Sequence, residues 1–511
     1  MRPFLNRFFR IKHLSVLLAV MLSSGMHAQD NTLFFMPGIP QANQLNPALM
    51  YRCKTYVALP VISSFMFNIR NTGFGFHDAI HMGTGNQSDR FFLDLNNLEK
   101  KLSRMNYLRM DMNIDLLGFG FAWNDWYFTF GIANHTELRL SYPRDLVSLR
   151  DGNWLVSEGN ANPLKLSGTK INLTNWNSIG ISAARELYDG LQVGLRAKYL
   201  QGVANLNTRR SKLELNTTSN PISLEANMNY KMNASFPVVL GYDANGLVNS
   251  VNFDNATSNI VGNYIFNKNR GLALDAGMIY DLDEQTQLSA SITDLGLIWW
   301  RKNVNNFNAS GAYTFRGIDL DQYQANPGQT DFLQALQDTL LQSFHAKGST
   351  RGYVTFTSVK LFGGVTREIL PHLKAGVMSK TEIYDLRIRP SLSLSMNYTP
   401  FKSVAASLSY TISNNKLNQV GAGLALGNRG AQFYILTDNI PVRFTRYSGS
   451  PLMWPYNARM LSLRFGLNLM FGCKENEKLH GRPGGGTAGK AAGNKRGSKR
   501  FKSSKICPAY W

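Results

Sequence analysis

Residues 461–471 read Leu-Ser-Leu-Arg-Phe-Gly-Leu-Asn-Leu-Met-Phe. Leu461, Leu463, Phe465, Leu467, Leu469 and Phe471 share one parity, and Ser462, Arg464, Gly466, Asn468 and Met470 share the other. A period of two sends alternate side chains to opposite faces of a strand. This stretch therefore has one continuous apolar face and one that carries an arginine. Its eleven residues exceed the usual soluble strand of about five or six and match the roughly 9–11 needed to cross a bilayer. A strand with oil outside and a polar lumen inside has this pattern.

The pattern recurs. It appears at Leu191, Val193, Leu195, Ala197 and Tyr199, at Leu272, Leu274, Ala276, Met278 and Tyr280, and at Leu392, Leu394, Met396 and Tyr398. It returns at Val404, Ala406, Leu408, Tyr410 and Ile412, and at Val420, Ala422, Leu424 and Leu426, which face away from Gly421, Gly423 and Gly427. Those glycines make room inside a lumen or kink a wall. Less regular candidates are 55–70, 108–121, 126–139, 176–187, 205–216, 222–233, 285–298, 353–367, 372–383 and 430–438, which bring the raw count to sixteen. The weakest are 205–216 and 222–233.

The connections alternate in length. Short turns fall at Trp123–Trp126, Asp189-Gly190, Asp281–Gln285, Leu370–His372, Thr399–Ser403 and Gly427–Gly430. Long ones span 71–107, 140–175, 234–269, 299–352 and 439–459. Each short turn joins an even strand to the next odd one, and each long loop does the reverse. Outer-membrane barrels have short periplasmic turns, long outer loops and an even strand number. The expected fold is all-β: a closed antiparallel transmembrane barrel at residues 55–473 with both chain ends in the periplasm. No run approaches the roughly 18 apolar residues of a membrane helix, and only helices and closed barrels satisfy their backbone inside lipid.

The amino terminus supplies the compartment. Arg2, Arg7, Arg10 and Lys12 precede an apolar run from Leu14 to Leu22, and small residues lead to Ala28-Gln29. This is the layout of a secretory signal, expected at residues 1–28. Residues 29–54 then form a short plug. Charged residues are 17% of the chain and aromatics 12%; the first figure lies below the roughly 25% of a soluble domain. The formal charge of +21 includes +4 from the signal and +8 from a Gly- and Lys/Arg-rich tail at 474–511. The remaining +9 is dispersed, which excludes the basic face that nucleic-acid binding requires. The tail reads as a disordered basic periplasmic extension.

Two segments have helical spacing. Phe91, Phe92, Leu95, Leu98 and Leu102 follow Ser88 and Asp89 as caps. Phe332, Leu333, Leu336, Leu340 and Phe344 form a second stripe. Both fall in outer loops, where an apolar helix face must cover something, and the barrel mouth is nearest. Catalytic patterns are lacking. His77 and His81 stand four apart without a carboxylate motif, and there is no His-Glu-x-x-His or Gly-x-Ser-x-Gly. Gly484–Lys490 imitates a phosphate loop, but Ala491 stands where Ser or Thr must hold magnesium. Neither an enzyme, a cofactor nor a metal is expected. Of the three cysteines, Cys53 precedes the first strand and Cys473 follows the last. Barrel closure brings both to one rim, where they could staple the seam; pairing of Cys473 with Cys507 and free thiols are the alternatives.

Residues 34–50, Phe-Phe-Met-Pro-Gly-Ile-Pro-Gln-Ala-Asn-Gln-Leu-Asn-Pro-Ala-Leu-Met, together with Tyr56–Pro60, resemble the start of a family of uncharacterised outer-membrane barrels from Bacteroidota-type bacteria. The resemblance continues through Leu117–Gly131, Gly190–Asn205 and Tyr313–Leu320 to Phe471-Gly-Cys473 and covers roughly residues 31–473. That family is distantly similar to the long-chain fatty-acid transporters, in which an Asn-Pro-Ala belongs to a hatch inside a fourteen-stranded barrel. Asn46, Pro47 and Ala48 match the tripeptide. The resemblance implies fourteen strands, with 205–233 an excursion in an outer loop. The expected function is passage or capture of a small hydrophobic molecule in the outer membrane, with the 332–344 stripe as landing site and Asn46–Ala48 as the movable element. The alternative is a non-transporting scaffold that meets a protein partner in secretion or surface assembly.

Overall fold

A computed structural model describes residues 30–473 apart from 52, 76–77, 79, 83–90, 152–153, 156–159, 162–163, 220–221, 237, 243–247, 254–267, 316–342, 345–346, 402, 413–418, 428–429, 441–443, 447–452 and 456–458. The expected signal at 1–28 and basic tail at 474–511 lie outside the described residues.

Alternation becomes wall. The barrel strands are β1 (Cys53–Ala58 and Phe65–Asn71), β2 (Met105–Trp123), β3 (Trp126–Pro143), β4 (Lys170–Tyr188) and β5 (Leu191–Ser219). They continue as β6 (Arg270–Asp281), β7 (Thr286–Trp300), β8 (Tyr353–Phe356 and Val359–Leu370), β9 (Leu373–Tyr384) and β10 (Arg387–Phe401). The ring is completed by β11 (Val404–Ile412), β12 (Gln419–Gly427), β13 (Ala431–Thr437) and β14 (Met460–Cys473). Each pairs antiparallel with its neighbours, and β14 pairs with both parts of β1, so fourteen strands close on themselves. Closure removes free edges.

The raw count of sixteen is corrected to fourteen. Residues 205–216 belong to β5, which continues past the barrel and pairs there with Ile222–Ser235. That strand pairs with Asn306–Phe315, which pairs with Lys347–Ser349. The segments 191–199 and 205–216 are one uninterrupted strand, whose alternation weakens where it leaves the wall.

β14 has the expected faces. Ser462, Arg464, Asn468 and Met470 are buried inward, whereas Leu461 and Phe471 are exposed. The outer face elsewhere carries Ile181, Leu195, Leu272, Leu274, Leu394, Met396 and Leu408. At the short-turn end it carries Trp123, Trp126, Tyr188, Tyr280, Tyr398, Phe401 and Phe471.

Two wall features depart from the expected pattern. β1 is interrupted at residues 59–64, where Val61 takes φ 64°, a conformation costly for a β-branched residue. There Val61 N donates to Asp115 O, Asp115 N to Ser64 O and Leu467 N to Ile62 O, so the detour stays hydrogen-bonded to both neighbours. Pro60, unable to donate to a ladder, marks the break. At the long-loop end, β9 and β10 are joined only by Asp385-Leu386, both at positive φ (49° and 57°). This is the backbone of a tight hairpin turn, achieved without the glycine that usually announces one. The barrel wall is therefore low on that side.

The first long-loop helix is Leu95–Lys101. Its cap is Asp94, whose side chain accepts from Asn97 N, in place of Ser88 and Asp89, which lie outside the described residues. Phe91 and Phe92 belong instead to a short strand, Phe91–Leu93. Leu98 and Leu102 pack with Tyr142, Phe74, Leu108 and Leu140, so the apolar stripe does cover the rim.

Candidate functional site

Residues 30–50 lie inside the barrel. A helical turn at Asn31–Phe34 and a 3-10 turn at Pro40–Gln44 fold them compactly, with Pro40 pre-setting the second. Leu33, Phe35, Met36, Ile39, Ala42 and Leu45 form an apolar cluster with Phe362, Met378, Ala425, Tyr434 and Leu436 of the wall. Each fully buried side chain of this size contributes about 1.5–3 kcal/mol.

Polar side chains hold the segment to strands on every side. Gln41 and Asn468 exchange amide hydrogen bonds of 2.7 and 2.9 Å. Gln41 also donates to Ser63 O in the β1 detour (3.2 Å), and Gln432 donates to Gly38 O (2.9 Å). Gln44 donates to both Asp115 oxygens (3.0 Å). Arg196 donates to Asn43 O (2.8 Å), and Ser291 to Leu45 O (2.6 Å). Arg464 pairs with Asp30 at 2.8 Å.

Asn46, Pro47 and Ala48 sit against β5, β6 and β7. Asn46 Nδ2 donates to Ser289 Oγ (2.9 Å) and Met278 O (3.2 Å), and its Oδ1 accepts from Ala48 N (3.0 Å). The last contact is an Asx turn, which explains why asparagine stands first in the tripeptide. Wall glycines supply the clearance. A Cβ on Gly277 would collide with Asn46, one on Gly194 with Pro47, and ones on Gly421 and Gly423 with Thr32 and Met36.

Beyond the segment, charges cross the bore. Arg109 on β2 pairs with Asp111 (2.7 Å) and with Glu382 on β9. Strands β2 and β9 stand seven apart in a ring of fourteen, so this ion pair bridges opposite walls. Arg139 on β3 joins Glu382 (2.9 Å) and Glu137 (2.7 Å). A second chain runs Arg196–Asp275–Lys198–Asp294–Lys360 at 3.1, 2.7, 2.7 and 3.1 Å along β5 to β8. The sequence reading missed these networks. Their only local signal is a charged inward parity, such as Arg109, Asp111 and Asp115 on β2.

Between segment and ion pairs lies a chamber of about 120 Å³, with Gln41, Gln44, Asp115, His135, Lys198 and Asp294 among its lining residues. Its lining is mixed, with Leu45, Phe130, Ile132 and Trp176 beside the polar groups. Further apolar space lies beside the segment. Cavities of about 50 and 40 Å³ run beside Phe34, Phe35, Pro37 and Leu49, and beside Met36 and Ile39. Towards the long-loop end Trp176, Leu200, Ile298, Trp300 and Val304 cluster with Tyr353. His135 stacks on Trp176 at 5.1 Å and bonds Asn113 and Ser178.

Of the second loop stripe, Phe332, Leu333, Leu336 and Leu340 lie outside the described residues. Phe344 is buried with Ala226 and Ala309, beside Leu215, Met228 and Tyr313 of the sheet beyond the rim. His77 and Cys507 also lie outside the described residues. Cys53 is disulfide-bonded, and strand register sets its backbone opposite Cys473.

A family model described as "Family of unknown function (DUF5723)" matches residues 47–438. The chain belongs to that family. No curated protein matches it. Among solved structures, the chain is similar to the toluene transporter TbuX of Ralstonia pickettii at 8% identity, covering 86% of this chain and 95% of that one, with a TM-score of 0.39. It is also similar to a Pseudomonas aeruginosa FadL homologue at 10% identity (88% and 100% covered, TM-score 0.35). A third is the Pseudomonas putida toluene transporter TodX at 8% (88% and 95% covered, TM-score 0.33). The fold assignment rests on the strand register described above.

Proposed function

We propose that this barrel sits in the outer membrane and takes up or captures a small hydrophobic compound, with residues 30–50 as a displaceable plug. The apolar outer face and the aromatic belt beside the short turns support the membrane setting. In that setting the short turns and both chain ends face the periplasm. The observation that carries the functional reading is the plug itself. It fills the bore through hydrogen bonds and an apolar cluster, and apolar cavities run alongside it. Apolar ligands need larger concave surfaces than these cavities provide, so the segment must move to admit one. The Trp176–Trp300–Tyr353 cluster offers an outer landing site, joined by the Phe332–Phe344 stripe, and movement of Asn46–Ala48 opens the inner path. A bridge between Cys53 and Cys473 would fasten the seam next to the plug's exit.

The test is uptake of a fluorescent apolar probe into proteoliposomes. Trp300→Ala and Phe35→Ala should each lower the rate while the barrel remains heat-modifiable on gels. Rates equal to wild type in both variants would reject the reading.

A scaffold role is the second reading. It is favoured by the β5 extension, which carries a small sheet beyond the rim with Ile222–Ser235 and Asn306–Phe315. Co-purification of a stoichiometric surface protein, lost on shortening that sheet, would favour it.

A further inference from the structure

The low wall at Asp385-Leu386 opens onto a cavity of about 160 Å³ at the outer mouth, distinct from the plug chamber. Arg109, Arg139, Lys170, Arg387 and Arg389 all line it, and Asp385 is the one carboxylate among its lining residues. The charges divide into two tiers. Arg109 and Arg139, on the inner side, share Asp111, Glu137 and Glu382. Lys170, Arg387 and Arg389 form no ion pair with any described residue. Nη1 of Arg389 is buried and makes no hydrogen bond among the described residues. A buried guanidinium N–H without an acceptor is costly, and the planar fork of arginine matches carboxylate and phosphate oxygens.

Neutral hydrogen-bonding groups and the apolar Met105, Leu108 and Leu140 make up the rest of the lining. Ser141, Asn172 and Tyr384 border the same space, and Arg139 lies over the Tyr384 ring at 3.9 Å, which fixes its plane. The volume equals the share of about five waters, enough for one tetrahedral or planar oxyanion. The contrast with the plug chamber is informative: there the cations Arg464, Lys198 and Lys360 are each matched to a carboxylate.

We propose that this cavity is an oxyanion site of the outer vestibule, which takes a phosphate or carboxylate group through Arg387, Arg389 and Lys170. A free anion and a lipid headgroup both carry such a group. This site stands apart from the uptake reading, since it requires neither plug movement nor an apolar ligand.

The experiment is calorimetric titration of the full chain in a non-ionic detergent at low salt, with inorganic phosphate in one arm and a short-chain phosphatidic acid below its micelle concentration in the other. Saturable binding in either arm is expected. Arg387→Gln with Arg389→Gln should weaken it about tenfold or more, the scale of a lost charge-assisted bond. Lys170→Gln, a milder change, should weaken it in the same direction. Binding in the phosphate arm identifies a free oxyanion, and binding only in the lipid arm identifies a headgroup; both support the site. Absence of saturable binding in both arms overturns it, as does binding unchanged in both variants while gel heat-modifiability shows them folded.

Discussion

The bore is crossed twice, by unlike means. The inner crossing is one contiguous stretch, residues 30–50, held by an apolar cluster and mostly neutral hydrogen bonds. The outer crossing is assembled from single side chains on separate strands, with Glu382 shared by Arg109 and Arg139. On the proposed reading the first leaves as a unit, because its chain is continuous, with the Asp30–Arg464 ion pair breaking as it goes. The second opens only by separating buried charges, which is expensive unless each finds a new partner. The continuous segment and the charged strut therefore lie in series, with the chamber between them.

The largest effect separating the two should come from Glu382→Ala. It removes one of the two carboxylate partners of each buried guanidinium, leaving Arg109 with Asp111 and Arg139 with Glu137, and breaking buried pairs of this kind costs up to about 3–5 kcal/mol. Denaturant midpoints of the refolded barrel should fall accordingly, while proteolytic exposure of residues 30–50 stays unchanged. Leu33→Ala should do the converse. Its cavity costs about 2–5 kcal/mol, concentrated in the plug and read as faster hydrogen exchange there at a nearly constant midpoint for the wall.

Gly277→Val places side-chain atoms where Asn46 sits. Overpacking costs about 1–3 kcal/mol, and exchange should quicken at 45–49 before it does at 31–36. The smallest effect is Gln41→Ala, about 1 kcal/mol for a hydrogen-bonded amide. A loss there that equals the Leu33→Ala loss would mean that polar contacts, more than the apolar cluster, hold the plug.

Strand faces and barrel class were legible because one physical contrast, apolar outside and polar inside, acts on every residue of a strand. Arg464 illustrates this: its inward parity was read from β14 alone, and it is buried against Asp30. Gly421 and Gly423 were equally legible as lumen clearance, and they face Thr32 and Met36. The charged strut was not. Arg109 and Glu382 are 273 positions apart, and no local pattern links them. The Asp385-Leu386 turn was missed because its positive φ values are imposed by strand pairing on residues that do not advertise them. The strand number was overcounted because β5 continues as sheet after it has left the wall.

Single-channel conductance in planar bilayers tests the double crossing most directly. Wild type should be electrically silent, excision of Asn31–Ala48 should give a small conductance limited by the strut, and excision combined with Arg109→Ala, Arg139→Ala and Glu382→Ala should give a several-fold larger one. A wild-type barrel that conducts steadily, or an excised plug that yields the full conductance by itself, would contradict the account.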